Sequence, residues 1–140
     1  MTSLAIGALS AQTGVKSPTI RYYEEIGLLP SPPRTDGNRR IYSVETVRRL
    51  KFIRHARELG FEVEAIRQLL ALADDPQGSC APADGIALAH LRDIDSRIDR
   101  LTALRDEVRR MVSECAHGPI GACKVIEVLA DHTECLHDHH

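Results

Sequence analysis

The chemistry of this 140-residue chain is concentrated in four cysteines and a late cluster of histidines. Cys80, Cys115, Cys123 and Cys135 all lie in the second half, and five of the seven histidines fall in the last 24 positions. Thiolate and imidazole are the donors that soft and borderline metal ions prefer. In a reducing compartment, cysteines of this kind serve metal or redox chemistry rather than structural pairing. Cys115 and Cys123 enclose a loop carrying Gly118, Pro119 and Gly121. Further on, His132, Cys135, His137, His139 and His140 make a candidate second metal site, the alternative being a tail with no site.

A cytoplasmic location is expected. Met1 to Ser10 lacks the basic start and apolar stretch of a signal peptide. No apolar run approaches the roughly 18 residues a membrane span needs, so no membrane partner is expected. The net charge of −2 hides an asymmetry. Residues 1–72 hold eleven lysines and arginines against seven acids, whereas residues 73–140 hold seven against thirteen. A basic first half suits phosphate, and an acidic second half suits a different partner.

The elements that would position these groups are mainly helical. A first helix runs from about Leu4 to Gln12, with Ile6 and Leu9 inward. Ser17-Pro18 is expected to open a second, with the serine as cap and the proline in the first turn. Ile20 and Tyr23 face the core from that helix, which leaves Lys16, Thr19, Arg21 and Tyr22 on its surface. Together the two helices read as a helix-turn-helix. Leu29 to Arg40 is rich in proline, glycine and arginine, and Asp36-Gly37-Asn38 is a turn between Arg34 and Arg39-Arg40-Ile41-Tyr42. A small β-hairpin wing is expected there. Ser43 opens a third helix that Gly60 ends, and a fourth runs from Val63 to Asp74-Asp75-Pro76.

From about Asp84 to Glu114 a single long helix is expected, with Leu91, Ile94, Ile98, Leu101, Val108 and Met111 in one narrow seam. Such a seam is not buried by one helix alone, so the chain should pair with a second copy. The expected organisation is a winged helix-turn-helix domain over 1–75, a linker over 76–83, an antiparallel coiled-coil dimerisation helix over 84–115, and a metal-binding loop, short helix and Cys/His-rich tail over 115–140. Cys80 and Cys115 stand 35 residues apart, roughly 45–50 Å along a mostly helical chain, too far to share one ion. In an antiparallel pair, however, Cys80 of one subunit meets Cys115 and Cys123 of the other, and symmetry gives two such sites.

Thr19-Ile20-Arg21-Tyr22-Tyr23-Glu24, Gly27-Leu28-Leu29-Pro30, Arg39-Arg40-Ile41-Tyr42, Phe52-Ile53-Arg54, Leu59-Gly60-Phe61 and Asp75-Pro76 together resemble the MerR family of transcriptional regulators. The resemblance covers nearly the whole chain. It implies that Arg21 and Tyr22 meet the operator from the recognition helix, that Arg39, Arg40 and Tyr42 grip phosphates from the wing, and that Arg54 adds a backbone contact. Lys16, Thr19, Arg34 and Asn38 complete the expected DNA-facing set.

The family's metal-sensing branches arrange their cysteines similarly. The seven-residue spacer between Cys115 and Cys123 is similar to the copper-efflux branch, which has serine where Cys80 stands. A cysteine at that position resembles the zinc, cadmium, lead and mercury regulators. His117 is a further candidate nitrogen ligand by analogy with the zinc branch, although its spacing differs. Three thiolates suit a divalent ion, and a copper(I) regulator is the alternative.

The resemblance also implies a homodimer that holds an overlong promoter in an inactive shape. Metal binding would then distort the DNA so that RNA polymerase holoenzyme engages both promoter elements of an efflux or detoxification gene. A thiol-redox regulator is a further alternative. Catalysis is not expected, since H-E-x-x-H, G-x-S-x-G and phosphate-binding glycine loops are all missing from the sequence.

Overall fold

The structure, a computed structural model, describes residues 3–115 and 117–131. It comprises two compact units, Met1–Ile86 and Ala87–His140. In chain order the helices are α1 (Ile6–Thr13), α2 (Ser17–Glu25), α3 (Val44–Glu58), α4 (Val63–Ala73), α5 (Ala81–Ser113) and α6 (Lys124–Ala130), with one 3-10 turn at Ile120–Ala122.

In the first unit α1 packs on α2 and α3, and α3 packs on α4. The core between them includes Leu9, Ile20, Leu50, Ile53 and Ile66, all fully buried. Each such side chain contributes about 1.5–3 kcal/mol by leaving water. Tyr23 is buried and Tyr22, its neighbour, is 50% exposed, as the three-residue spacing from Ile20 requires. Helix α1 stops at Gly14, whose φ of 74° lets its amide turn back to the Ser10 carbonyl. Helix α3 begins at Ser43, whose side chain accepts from the Thr46 amide. The expected serine cap on α2 is corrected: Lys16 holds the cap position without a side-chain bond, and Ser17 and Pro18 are already helical.

The expected wing is present as a minimal hairpin, closed by the Thr35 amide donating to the Arg39 carbonyl at 2.8 Å and the Ile41 amide to the Pro33 carbonyl at 3.0 Å. Arg34 and Arg40 form one isolated antiparallel bridge, Leu4 and Tyr42 form another, and Asn38 turns the chain with φ 62°. Pro30, Pro32 and Pro33 supply no amide protons, so no ladder extends along that side.

Three arginines of the basic half are used internally. Arg54 Nη1 donates to the Thr13 carbonyl at 2.6 Å, Arg67 Nη2 to the Ile26 carbonyl at 2.7 Å, and Arg49 Nε to the Leu28 carbonyl at 3.1 Å. These carbonyls lie at or just beyond the ends of α1 and α2, where helices leave acceptors unpaired.

The long helix begins at Ala81, three residues before the expected Asp84, because proline is tolerated in a first turn and Pro82 sits there. Cys80 immediately precedes it, exposed, and its carbonyl accepts the Asp84 amide at 3.0 Å. In the second unit Leu91, Ile98, Leu101 and Val108 are each at least half exposed along one seam. At the far end Val112 is 60% exposed, and Met111, expected in the seam, is partly buried.

Candidate metal centre and nucleic-acid interface

Cys115 lies just beyond α5 and Cys123 just before α6, both partly buried. Cys115 is near enough to act on the Cys123 thiol as a side-chain partner. An ion pair closes the same loop, with Lys124 Nζ 3.6 Å from Glu114 Oε2. The pair joins the neighbours of the two cysteines, so it holds the loop's ends together. Sequence reasoning missed it; the signal was an acid and a lysine on the outer sides of Cys115 and Cys123.

The Cys123 thiol is held below its ordinary value. The Ile126 amide is the main cause; the Val125 amide and Cys115 act the same way, and desolvation opposes them. Both amides lie in the first turn of α6, where backbone N–H groups lack helical partners and are free to face the sulfur. A thiol biased toward thiolate is a better metal ligand.

His117 is exposed in the loop, with φ 56°. Among the described residues no three His, Cys, Asp or Glu side chains gather in a metal-holding group within one chain. The candidate second site, His132, Cys135, His137, His139 and His140, lies outside the described residues.

The expected DNA-facing residues fall into two classes. Lys16, Arg21, Tyr22, Arg34, Asn38 and Arg39 are exposed, and Thr19 is partly so. Arg34 also braces the wing turn, Nη1 donating to the Asn38 carbonyl at 3.2 Å. Arg40 is half-buried, its Nε 3.3 Å from Glu24 Oε2. Tyr42 departs from expectation: it is 3% exposed, and its hydroxyl donates to Glu24 Oε1. A phenol has one proton to give, so Tyr42 is corrected from a phosphate grip to a core residue that braces the wing. Burial, first, and then the bond to Glu24 push its ionisation well above the ordinary tyrosine range. Arg54 is also engaged, with the Thr13 carbonyl and with Glu58 at 3.0 Å, although half its side chain remains exposed.

No helix among the described residues is long and apolar enough to cross a membrane. Comparison with known proteins agrees with the helical order. Residues 4–73 match the MerR HTH family regulatory protein model, and residues 47–111 match the MerR, DNA binding model. The HTH-type transcriptional regulator ZntR of Escherichia coli K12 is 38% identical over 128 residues, 89% of this chain and 90% of its own. Heavy metal-dependent transcription regulator 2 of Rhizobium meliloti is 35% identical over 126 residues, 90% of this chain and 86% of its own. The crystal structure of the regulator PbrR691 from Ralstonia metallidurans CH34, in complex with lead(II), aligns with a TM-score of 0.80 and 32% identity. That alignment covers 90% of this chain and 98% of PbrR691. These relatives are transcription regulators and not enzymes. Sharing both family segments and about nine-tenths of its length with them, the chain belongs to the MerR family of HTH regulatory proteins.

Proposed function

We propose that the chain is a metal-responsive, DNA-binding transcription regulator that works as a homodimer on promoter DNA. The observation that carries the metal reading is the nearness of Cys115 to Cys123, with Cys123 biased toward thiolate. Two adjacent soft donors beside a closing ion pair suit a soft or borderline ion. The relation to a heavy metal-dependent regulator and to a lead(II) complex supports the same reading.

Two sulfurs alone satisfy a linear copper(I) ion, whereas a divalent ion needs more ligands and more charge. Cys80, exposed at the head of α5, is the proposed third ligand, contributed by the other subunit. The effector is then zinc, cadmium, lead or mercury, with copper(I) as the second reading. The exposed seam of α5 is the proposed dimer contact. Lys16, Thr19, Arg21, Tyr22, Arg34, Asn38, Arg39 and Arg40 form the proposed DNA face, and Arg54 contributes at most the exposed edge of its guanidinium.

In this reading the metal-bound dimer favours a distorted promoter that RNA polymerase holoenzyme can use. Bending a site of 20–30 base pairs costs on the order of 1–6 kcal/mol. A metal that binds the activating state a few kcal/mol better is sufficient to shift the population. Equilibrium competition of the purified protein with zinc, cadmium, lead, mercury and copper(I) tests the assignment. A divalent ion should win at the Cys80-dependent site, and preference for copper(I) irrespective of Cys80 would favour the second reading.

A further inference from the structure

Glu24 lies in the last turn of α2 and stands outside the proposed DNA face, yet the wing converges on it. Its side chain is only 8% exposed. Tyr42 donates its hydroxyl proton to Oε1, and Arg40 Nε lies 3.3 Å from Oε2. The Arg40 Nε is buried and not aligned for a hydrogen bond, so that contact is ionic. Burial of the carboxylate shields the pair from the salt screening that weakens exposed pairs. Arg21 sits one turn earlier on the same face of α2, close enough to influence the Tyr42 phenol electrostatically. One carboxylate therefore links the recognition helix to the wing.

We propose that Glu24 is a positioning residue for DNA recognition. By engaging Arg40 through Nε, the nitrogen nearest the chain, it leaves the outer edge of the guanidinium to meet a phosphate. By holding Tyr42 as well, it fixes the wing's register against Arg21. The Arg40 side chain is 32% exposed, which is what an arginine anchored at its inner nitrogen and open at its outer edge requires. An unanchored arginine would lose rotamer freedom on binding DNA, and the anchor removes that cost in advance. This inference rests on the reading of Arg40 as a phosphate contact.

The test uses the full-length protein and a duplex recovered by selection from a randomised pool, with fluorescence anisotropy across a potassium chloride series. Arg40→Ala should weaken binding and reduce the salt slope by about one. Glu24→Gln keeps an acceptor for Tyr42 but removes the charge facing Arg40; it should weaken binding roughly three- to tenfold. The double variant should bind no worse than Arg40→Ala, because both changes remove one oriented contact.

If Arg40→Ala changes neither affinity nor slope, the phosphate reading itself is wrong. If Arg40→Ala acts but the two losses multiply, or Glu24→Gln binds as well as or better than the parent, the positioning role is wrong. Thermal melts accompany each variant. Should Glu24→Gln not fold, Glu24→Asp serves instead: its carboxylate is one methylene shorter, and full affinity in that variant would overturn the role.

Discussion

Arg54 Nη1 donates to the carbonyl of Thr13 at 2.6 Å, so a side chain of α3 ties down the end of α1 from 41 positions along the chain. Gly14 follows Thr13 with φ 74°, and a Cβ there would lie 2.0 Å from Arg54 Nη1. Arg54→Ala should therefore cost about 1.5–3 kcal/mol of stability, the usual worth of a charge-assisted hydrogen bond. Gly14→Ala should cost about 1–3 kcal/mol, because it combines a left-handed backbone with displacement of the same guanidinium. Urea unfolding curves check both. A stable Arg54→Ala protein with weakened operator affinity would make DNA contact, and not the tie to α1, the main role of Arg54.

The Tyr42 phenol supplies a pH dependence. Its ionisation in the folded chain lies above the ordinary value of 10.0, through burial first and Glu24 second. A folded value above the unfolded one means the stabilisation is complete below pH 10 and is lost as pH rises beyond it. Stability should fall above that pH in the parent and fall less steeply in Tyr42→Phe. Ultraviolet titration should show one of the three tyrosines ionising late, and that late step should vanish in Tyr42→Phe.

Cys123 is biased toward thiolate by the Ile126 and Val125 amides and by Cys115. At neutral pH it should be alkylated by iodoacetamide faster in the folded apo-protein than in the urea-unfolded chain, despite being partly buried. Peptide mass mapping over time reads the rate. Equal rates in both states would remove the local cause of thiolate bias.

Leu101 is 64% exposed and Ile98 53% on the seam of α5. Leu101→Glu and Ile98→Lys should each shift the protein from dimer to monomer in sedimentation velocity, with little change in the melting of the first unit. A parent that sediments as a monomer would remove the seam as a dimer contact.

Much of this was legible in the sequence because it is local. Ser43 as a cap, the glycine stops after α1 and α3, and the inward Ile20 and Tyr23 follow from spacing and backbone chemistry alone. What escaped depends on residues far apart in the chain. Arg49, Arg54 and Arg67 look like free cations in the sequence but bond to loop and helix-end carbonyls brought to them by folding. Tyr42 sits beside Arg39 and Arg40 in a basic stretch, and only the position of Glu24 shows where its hydroxyl is spent. Cys115 and Cys123 were recognised as a pair, but the Lys124–Glu114 clamp that closes their loop was not.

Thiolates from two subunits are proposed to hold one divalent ion, and mixed dimers distinguish that arrangement from a site within one chain. Cys80→Ser chains and Cys115→Ser/Cys123→Ser chains, carrying different tags, are co-expressed and the mixed dimer is isolated. Lead(II) binding is followed by thiolate charge-transfer absorbance. Each variant alone should lack the tight site, since every site in those dimers misses a ligand. The mixed dimer should regain one lead(II), because one of its two sites combines an intact Cys80 with an intact Cys115 and Cys123 from the other chain. A mixed dimer that binds no lead(II), or a Cys80→Ser protein that binds it as tightly as the parent, would contradict the shared three-thiolate site.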